Sequence, residues 1–263
     1  LDQLEPVPVI RKIKIKAHWV IASLLLLLPL SFGLFCFLPQ YYSFTTLGEI
    51  VPVREIGVNG SVHFIYVQEG LTRNRYEKYV ARQAYPYAQF TRVDASAEDS
   101  LSDMKELGED ARNETIHNAV DSVAALSDEP SGNLEREELE LALNEETEQY
   151  YGDSIGLMLS LGLYEEKQQV DFSRNGEFII AGTGTMEEDH TVGSVGSIRD
   201  KLRTAENQGA DIFLVPRDKE TFQYEGISNE EEAQQAAQEL HLQLQVVPVA
   251  TLEEAITYLK QLH

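Results

Sequence analysis

The first long feature in the pattern of apolar and polar positions is Trp19–Leu38, twenty consecutive residues without a charge, centred on Leu24–Leu28. At about 1.5 Å of rise per residue such a run spans roughly 30 Å as a helix, the thickness of one hydrocarbon core. It shows almost no polar face, unlike a buried helix of a globular core, and Pro29 is tolerated in membrane helices. The pattern therefore predicts a transmembrane helix. Beyond it, Glu49–Val53 and Ser61–Val67 read as strands split by the turn signal Asn59-Gly60. Residues 73–149 read mostly as helix. Tyr76, Tyr79 and Val80 recur at helical spacing, and Ser96-Ala97-Glu98-Asp99 offers a capping box before Leu101, Met104 and Leu107. Residues 127–133 read as a loop, and Leu134–Gln149 as a glutamate-rich helical run with a solvated face.

From residue 150 onward helices and strands take turns. A helix follows Ser154, then the strand Glu177–Ala181 and a turn near Glu187–His190. A helix over Ile198–Asn207 ends at Gly209, a fitting C-cap, before the strand Asp211–Val215, which Pro216 stops. The helix Asn229–Leu240, the strand Gln243–Val247 and the helix Leu252–Leu262 complete the pattern. This alternation predicts an α/β fold, and no internal repeat is visible. The expected organisation is a basic tail over 1–18, a transmembrane anchor over 19–38, an acidic strand-plus-helix region over 39–149, and an α/β domain over 150–263.

Charge sharpens the topology. The net charge is −23, yet the first 18 residues hold Arg11, Lys12, Lys14 and Lys16 against Asp2 and Glu5. Basic residues before the apolar run and none just after it predict a cytoplasmic N-terminus and residues 39–263 outside the membrane. The run lacks an Ala-x-Ala-like cleavage site, and bulky Phe35 before Cys36 makes a poor lipoprotein site, so an uncleaved signal anchor is the reading. So acidic a surface repels phosphate backbones, which argues against nucleic-acid binding. A single cysteine, Cys36, excludes an intramolecular disulfide or a thiolate metal cluster. The six histidines are dispersed and none pairs at His-x3-His spacing; Glu187-Glu188-Asp189-His190 reads as a polar hairpin tip before it reads as a cation site. No Gly-x4-Gly-Lys-[Ser/Thr] loop is present, and no cofactor is expected.

Two segments carry candidate chemistry. Gly152-Asp153-Ser154-Ile155-Gly156 opens an apolar helix, and Gly193-Ser194-Val195-Gly196-Ser197-Ile198-Arg199-Asp200-Lys201 is a glycine-rich turn running into another. Serine needs a base and a site for the developing oxyanion. Glycines at 152 and 156 permit a tight turn at Ser154, and the first N–H groups of the following helix are available to an anion. A lysine serves as base only if burial or positive charge lowers its pKa toward 7. Taken alone, Gly-x-Ser-x-Gly is also a plain helix cap, and Gly-Asp-Ser-Ile is similar to the Gly-Asp-x-Ile strand of PDZ domains, though Gly156–Gly162 continues as helix. Lys201 alone also fits a surface lysine paired with Asp200 or Glu206.

Four ordered segments resemble the proteolytic domain of Lon proteases: Ser154 with its helix, Ala181-Gly182-Thr183-Gly184-Thr185-Met186, Val192–Leu202, and Gly209-Ala210-Asp211-Ile212-Phe213-Leu214-Val215-Pro216. The chain resembles in particular the membrane-anchored, PDZ-containing Lon-like proteases of Gram-positive bacteria, strongly over 150–263 and more loosely over 17–125. The resemblance implies an α+β-like Lon proteolytic domain in which Ser154 is the nucleophile, Lys201 the general base and Thr183 an orienting partner of the lysine. Backbone N–H groups around Asp153 and Ser154 would help form the oxyanion hole, with Gly152 and Gly156 shaping the turn. The implied activity is ATP-independent serine endopeptidase action on secreted or cell-surface peptides, a small signalling peptide among them, with homo-oligomerisation by analogy to the wider family. Three features depart from the pattern. Asp153 and Ile155 stand where the subgroup has Pro and Ala, Gly196-Ser197 replaces Gly-Gly, and 124–150 is too short for a PDZ module. The competing reading is a catalytically inactive Lon-like scaffold tethered to the membrane.

Overall fold

A computed structural model describes residues 16–126, 132–217 and 226–262. The tail residues Arg11, Lys12 and Lys14, and most of the loop expected over 127–133, lie outside the described residues. Helix α1, Ala17–Phe37, is long and apolar enough to cross a membrane, and none of it is buried in the protein. Trp19 near one end and Phe37 at the other bracket about 27 Å at 1.5 Å per residue.

Strand β1 (Pro39–Pro52) leaves α1 directly and pairs antiparallel with β2 (His63–Asn74) and with β3 (Gln89–Arg92). Helix α2 (Arg75–Ala84) lies between β2 and β3, and its N-cap Asn74 accepts from the Glu77 N–H. Helices α3 (Ala97–Ala125), α4 (Asn133–Glu146) and α5 (Gly156–Gln168) follow, then β4 (Ile180–Gly182) and the hairpin β5–β6 (Thr185–Met186 and Val192–Gly193). Helix α6 (Ile198–Asn207), β7 (Ile212–Pro216), α7 (Asn229–Leu240), β8 (Gln245–Val249) and α8 (Leu252–Lys260) complete the order. The described residues thus form a mixed α/β structure with eight α-helices, whose main sheet has six strands in the order β3-β1-β2-β4-β7-β8. The β3-β1-β2 part is antiparallel, whereas β2-β4, β4-β7 and β7-β8 run parallel. One sheet therefore draws strands from both sides of residue 150.

Alternation along the strands explains the layering. Phe64, Ile180, Ile212 and Leu214 point into one core with α3, α5 and α8, while Ile65, Ala181, Phe213 and Val215 point into another with α6 and α7. Strands covered on both faces read as continuous apolar runs, and Ile212–Pro216 is buried throughout. The ends of the helices follow local chemistry. Ser228 and Thr251 cap α7 and α8 by accepting from the N–H groups of Glu231 and Glu254. Helix α6 ends in a Schellman motif: Gly209 is left-handed (φ +78°), its N–H bonds the Glu206 carbonyl, and the Ala210 N–H bonds that of Ala205. The capping box expected at Ser96 does not form. Ser96 is already in the helical region (φ −63°, ψ −15°), so its hydroxyl cannot fold back onto the third residue of α3. The glutamate-rich helix ends at Glu146 rather than 149, where Thr147 Oγ1 turns back to bond the Leu143 carbonyl.

Candidate functional site: a buried lysine beside a serine turn

Ser154 lies in a turn between α4 and α5, and α3 together with β5 holds that turn from below. Gly152 is left-handed (φ +94°) and donates its N–H to the Gly108 carbonyl on α3 at 2.9 Å. One helical turn further on, the buried Arg112 guanidinium donates to the carbonyls of Thr147 (3.1 Å) and Tyr150 (2.7 Å), fixing the chain just before the turn. Gly156, the first residue of α5, sits where a Cβ would collide with Thr115 Oγ1 and the Met186 backbone, so a glycine is required there for close approach. The strand-end segment after β4 closes the other side. The Gly184 N–H donates to the Ser154 carbonyl at 3.1 Å, and the Leu157 N–H donates to the Gly184 carbonyl at 3.0 Å.

Lys201 reaches the same point from the opposite layer. It lies in the first turn and a half of α6, on the face that also buries Ile198, Leu202 and Ala205. The residue is only 3% exposed. Its ammonium donates to Thr183 Oγ1 at 3.0 Å, and that hydroxyl donates in turn to the Ser154 carbonyl at 3.3 Å. Two hydrogen bonds in series therefore put the Lys201 nitrogen within about 6 Å of the Ser154 carbonyl oxygen. Among the described residues no hydrogen bond joins the Ser154 hydroxyl directly to Lys201, whose donor contact is with the fully buried Thr183. Burial is the main cause that lowers the Lys201 pKa from 10.5 to about 8; the negative charges of Asp153, Glu69 and Glu232 oppose it.

Asp153 is the largest of those opposing charges. Its own pKa is raised, chiefly by desolvation, while Lys201 pulls it back down. The carboxyl and the ammonium thus favour each other's charged forms in a site that disfavours both. Asp153, Ser154, Lys201 and Glu69 line one cleft of about 780 Å³, walled further by Tyr66 and Tyr151. The first two N–H groups of α5 do not stand free as the glycine pattern led one to expect. Gly156 donates to the Asp153 carbonyl and Leu157 to Gly184. The N–H groups of Ser154 and Ile155, one step earlier, have no acceptor among the described residues. Two N–H groups in succession at a turn make a concavity for negative charge. The glycine-rich turn before α6 carries a further oddity. Ser197, at the N-cap, is left-handed (φ +61°, ψ +32°), a conformation that costs a non-glycine residue roughly 1 kcal/mol.

Chain-wide comparison finds no matching protein-family model, and no curated protein matches the sequence. The structure places Gly152, Asp153, Ser154 and Lys201 on the wall of one cleft, with Thr183 and Gly156 buried behind them. Sequence reasoning did not anticipate Gly108, Arg112, Glu69 or the tyrosines. Only Arg112 carried a signal, as a basic residue on a helical face otherwise made of Thr115, Ile116 and Ala119.

Proposed function

We propose that this protein is a membrane-anchored serine endopeptidase that works through a Ser154/Lys201 dyad, of the Lon-like type. The single observation that carries the reading is the buried Lys201 amine, lowered to about 8 and tied through Thr183 to the Ser154 backbone. At pH 7 a group with that pKa is neutral roughly one time in ten, against about one in three thousand for an ordinary lysine. A neutral amine accepts the Ser154 hydroxyl proton as Oγ attacks the substrate carbonyl carbon. Negative charge then develops on the carbonyl oxygen, for which the free N–H groups of Ser154 and Ile155 are the available donors. The Lys201 ammonium returns its proton to the leaving amine as the C–N bond breaks, leaving an ester on Ser154. Water, deprotonated by the same lysine, hydrolyses that ester and releases the acid.

Thr183 supports the dyad as a positioning residue. Its hydroxyl holds the ammonium at one fixed point, so lysine flexibility does not dissipate the alignment. No hydrogen bond joins the Ser154 hydroxyl to the amine among the described residues, a loose arrangement of the sort that tightens around substrate. The α1 anchor supports a site held outside the membrane, on the side opposite the basic tail. The ordered Lon-like segments in the sequence support the same assignment. A purified full-length chain in nanodiscs, incubated with a mixed peptide library and followed by mass spectrometry, tests the activity. Cleavage by wild type and none by Ser154→Ala or Lys201→Ala is the expected result. Identical digests from all three would leave the tethered scaffold as the function.

A further inference from the structure

Helix α2 sets an exposed apolar stripe beside a basic one. Arg75, Lys78 and Arg82 form one stripe at spacings of three and four, and Tyr76, Tyr79, Val80 and Gln83 form the neighbouring one. Lys78 is the inward member of the basic stripe, while Arg75 and Arg82 stay exposed at its edge. The Lys78 ammonium lies 3.1 Å from the centre of the Tyr42 ring on β1 and 5.3 Å from that of Phe90 on β3, and the Arg82 guanidinium lies 5.6 Å from Phe90. The apolar stripe faces out: Tyr76 is 51%, Tyr79 63% and Val80 47% exposed. An exposed apolar stripe rimmed by cations marks a surface that another apolar, anionic phase covers.

The neighbouring element identifies the cover. Helix α2 packs beside the end of α1, with Tyr76 against Phe37 at 5.5 Å between ring centres and the Arg75 guanidinium 3.8 Å over the Phe35 ring. The exposed stripe thus continues the apolar surface of α1 at the level where α1 gives way to β1. Charge points the same way. Residues 73–92 contain Arg73, Arg75, Lys78, Arg82 and Arg92 against Glu77 alone, a basic island in a chain of net charge −23. Tyrosine with arginine is the composition of the bilayer interface, where rings sit at headgroup depth and long cations reach phosphate.

From this we infer that α2 lies flat on the bilayer leaflet from which α1 emerges, with Tyr76, Tyr79 and Val80 among the lipid headgroups and the exposed Arg75 and Arg82 on lipid phosphates. The inference rests on α1 being a membrane anchor and is independent of the peptidase reading. One consequence concerns the cleft. Tyr85, the C-cap residue of α2, stacks on Phe44 at 5.6 Å, and both line the wall of the Ser154 cleft. A lipid-seated α2 therefore holds that cleft beside the membrane surface.

The test uses the full chain in vesicles of phosphatidylcholine with and without phosphatidylglycerol, each doped with nitroxide lipid quenchers at headgroup depth. A fluorophore is placed either on native Cys36 or, in Cys36→Ser/Tyr79→Cys, on position 79. Quenching at both positions is expected, with the loss of emission at 79 larger in the anionic vesicles and reduced by Arg75→Glu/Arg82→Glu. Quenching at Cys36 with none at 79 overturns the inference while leaving the anchor intact. No quenching at either position removes the anchor and the inference together. Emission at 79 that responds to protein density but not to lipid quencher assigns the stripe to a second copy, which also overturns it.

Discussion

Replacing Lys201 with Met is expected to stabilise the protein and abolish the proposed peptidase chemistry at once. In the folded chain the amine has a pKa of about 8, against 10.5 for an exposed lysine. That gap corresponds to roughly 3 kcal/mol at about 1.4 kcal/mol per pH unit. The sign follows from proton counting. Between pH 8 and 10.5 the unfolded chain holds a proton on Lys201 that the folded chain has lost, so stability rises with pH through this window. Below pH 8 both states are protonated and folding bears the whole cost of burying the charge. Above 10.5 both are neutral and the cost is gone. Methionine has a similar unbranched stem and no charge, and the partner it deserts, Thr183, keeps its bond to the Ser154 carbonyl. Urea unfolding in detergent micelles, followed by helical circular dichroism, is expected to give Lys201→Met an advantage of up to about 3 kcal/mol at pH 7 that fades toward pH 10.5. A variant that is less stable than wild type at pH 7, or a difference that does not change with pH, would refute the reasoning.

Three further predictions address the surroundings of the dyad. Asp153→Asn removes the largest charge holding Lys201 protonated, so the rising limb of kcat/KM against pH should move to lower pH; a move upward would contradict the assignment. Thr183→Val should lower kcat about a hundredfold with little change in KM, since a misplaced base fails in the chemical step rather than in binding; Thr183→Ser should recover most of the loss. Gly156→Ala, with its Cβ forced against Thr115 Oγ1 and the Met186 backbone, should cost about 1–3 kcal/mol in thermal or urea unfolding, and a neutral result would mean that the α5 approach is looser than described.

Much of the architecture was legible in the chain because local signals agreed with burial. Helix α6 spans Ile198–Asn207 as its pattern predicts, since Ile198, Leu202 and Ala205 recur on one face and Gly209 supplies the left-handed stop. Helix α7 begins at Asn229 for an equally local reason, the Ser228 cap. Ser96 misled because a capping sequence specifies a helix start only if the backbone before it is extended, and here the chain is already turning at Asp94–Ala95. Sheet partners were not legible. That β2 pairs with β4, more than a hundred residues away, is set by packing of Phe64 and Ile180 into a common core. The candidate site was legible only in part. Ser154 and Lys201 stand out by type, but nothing local says that a lysine preceded by Asp200 will be buried rather than solvated. Its burial follows from the α6 face shared with Ile198 and Leu202, and from Thr183 arriving at the end of β4. Arg112 and Gly108 act through carbonyls far along the chain, and backbone acceptors leave no trace in side-chain pattern.

The dyad is tested most directly by the site of acylation. A reactive peptidyl ester is added to the full-length protein at pH 8, the reaction is quenched in acid, and the adduct is located by peptide mass mapping. The account predicts an acyl group on Ser154 that accumulates in wild type and is absent from Lys201→Ala. Acylation elsewhere in the chain, or equal labelling of Ser154 with and without Lys201, would contradict it.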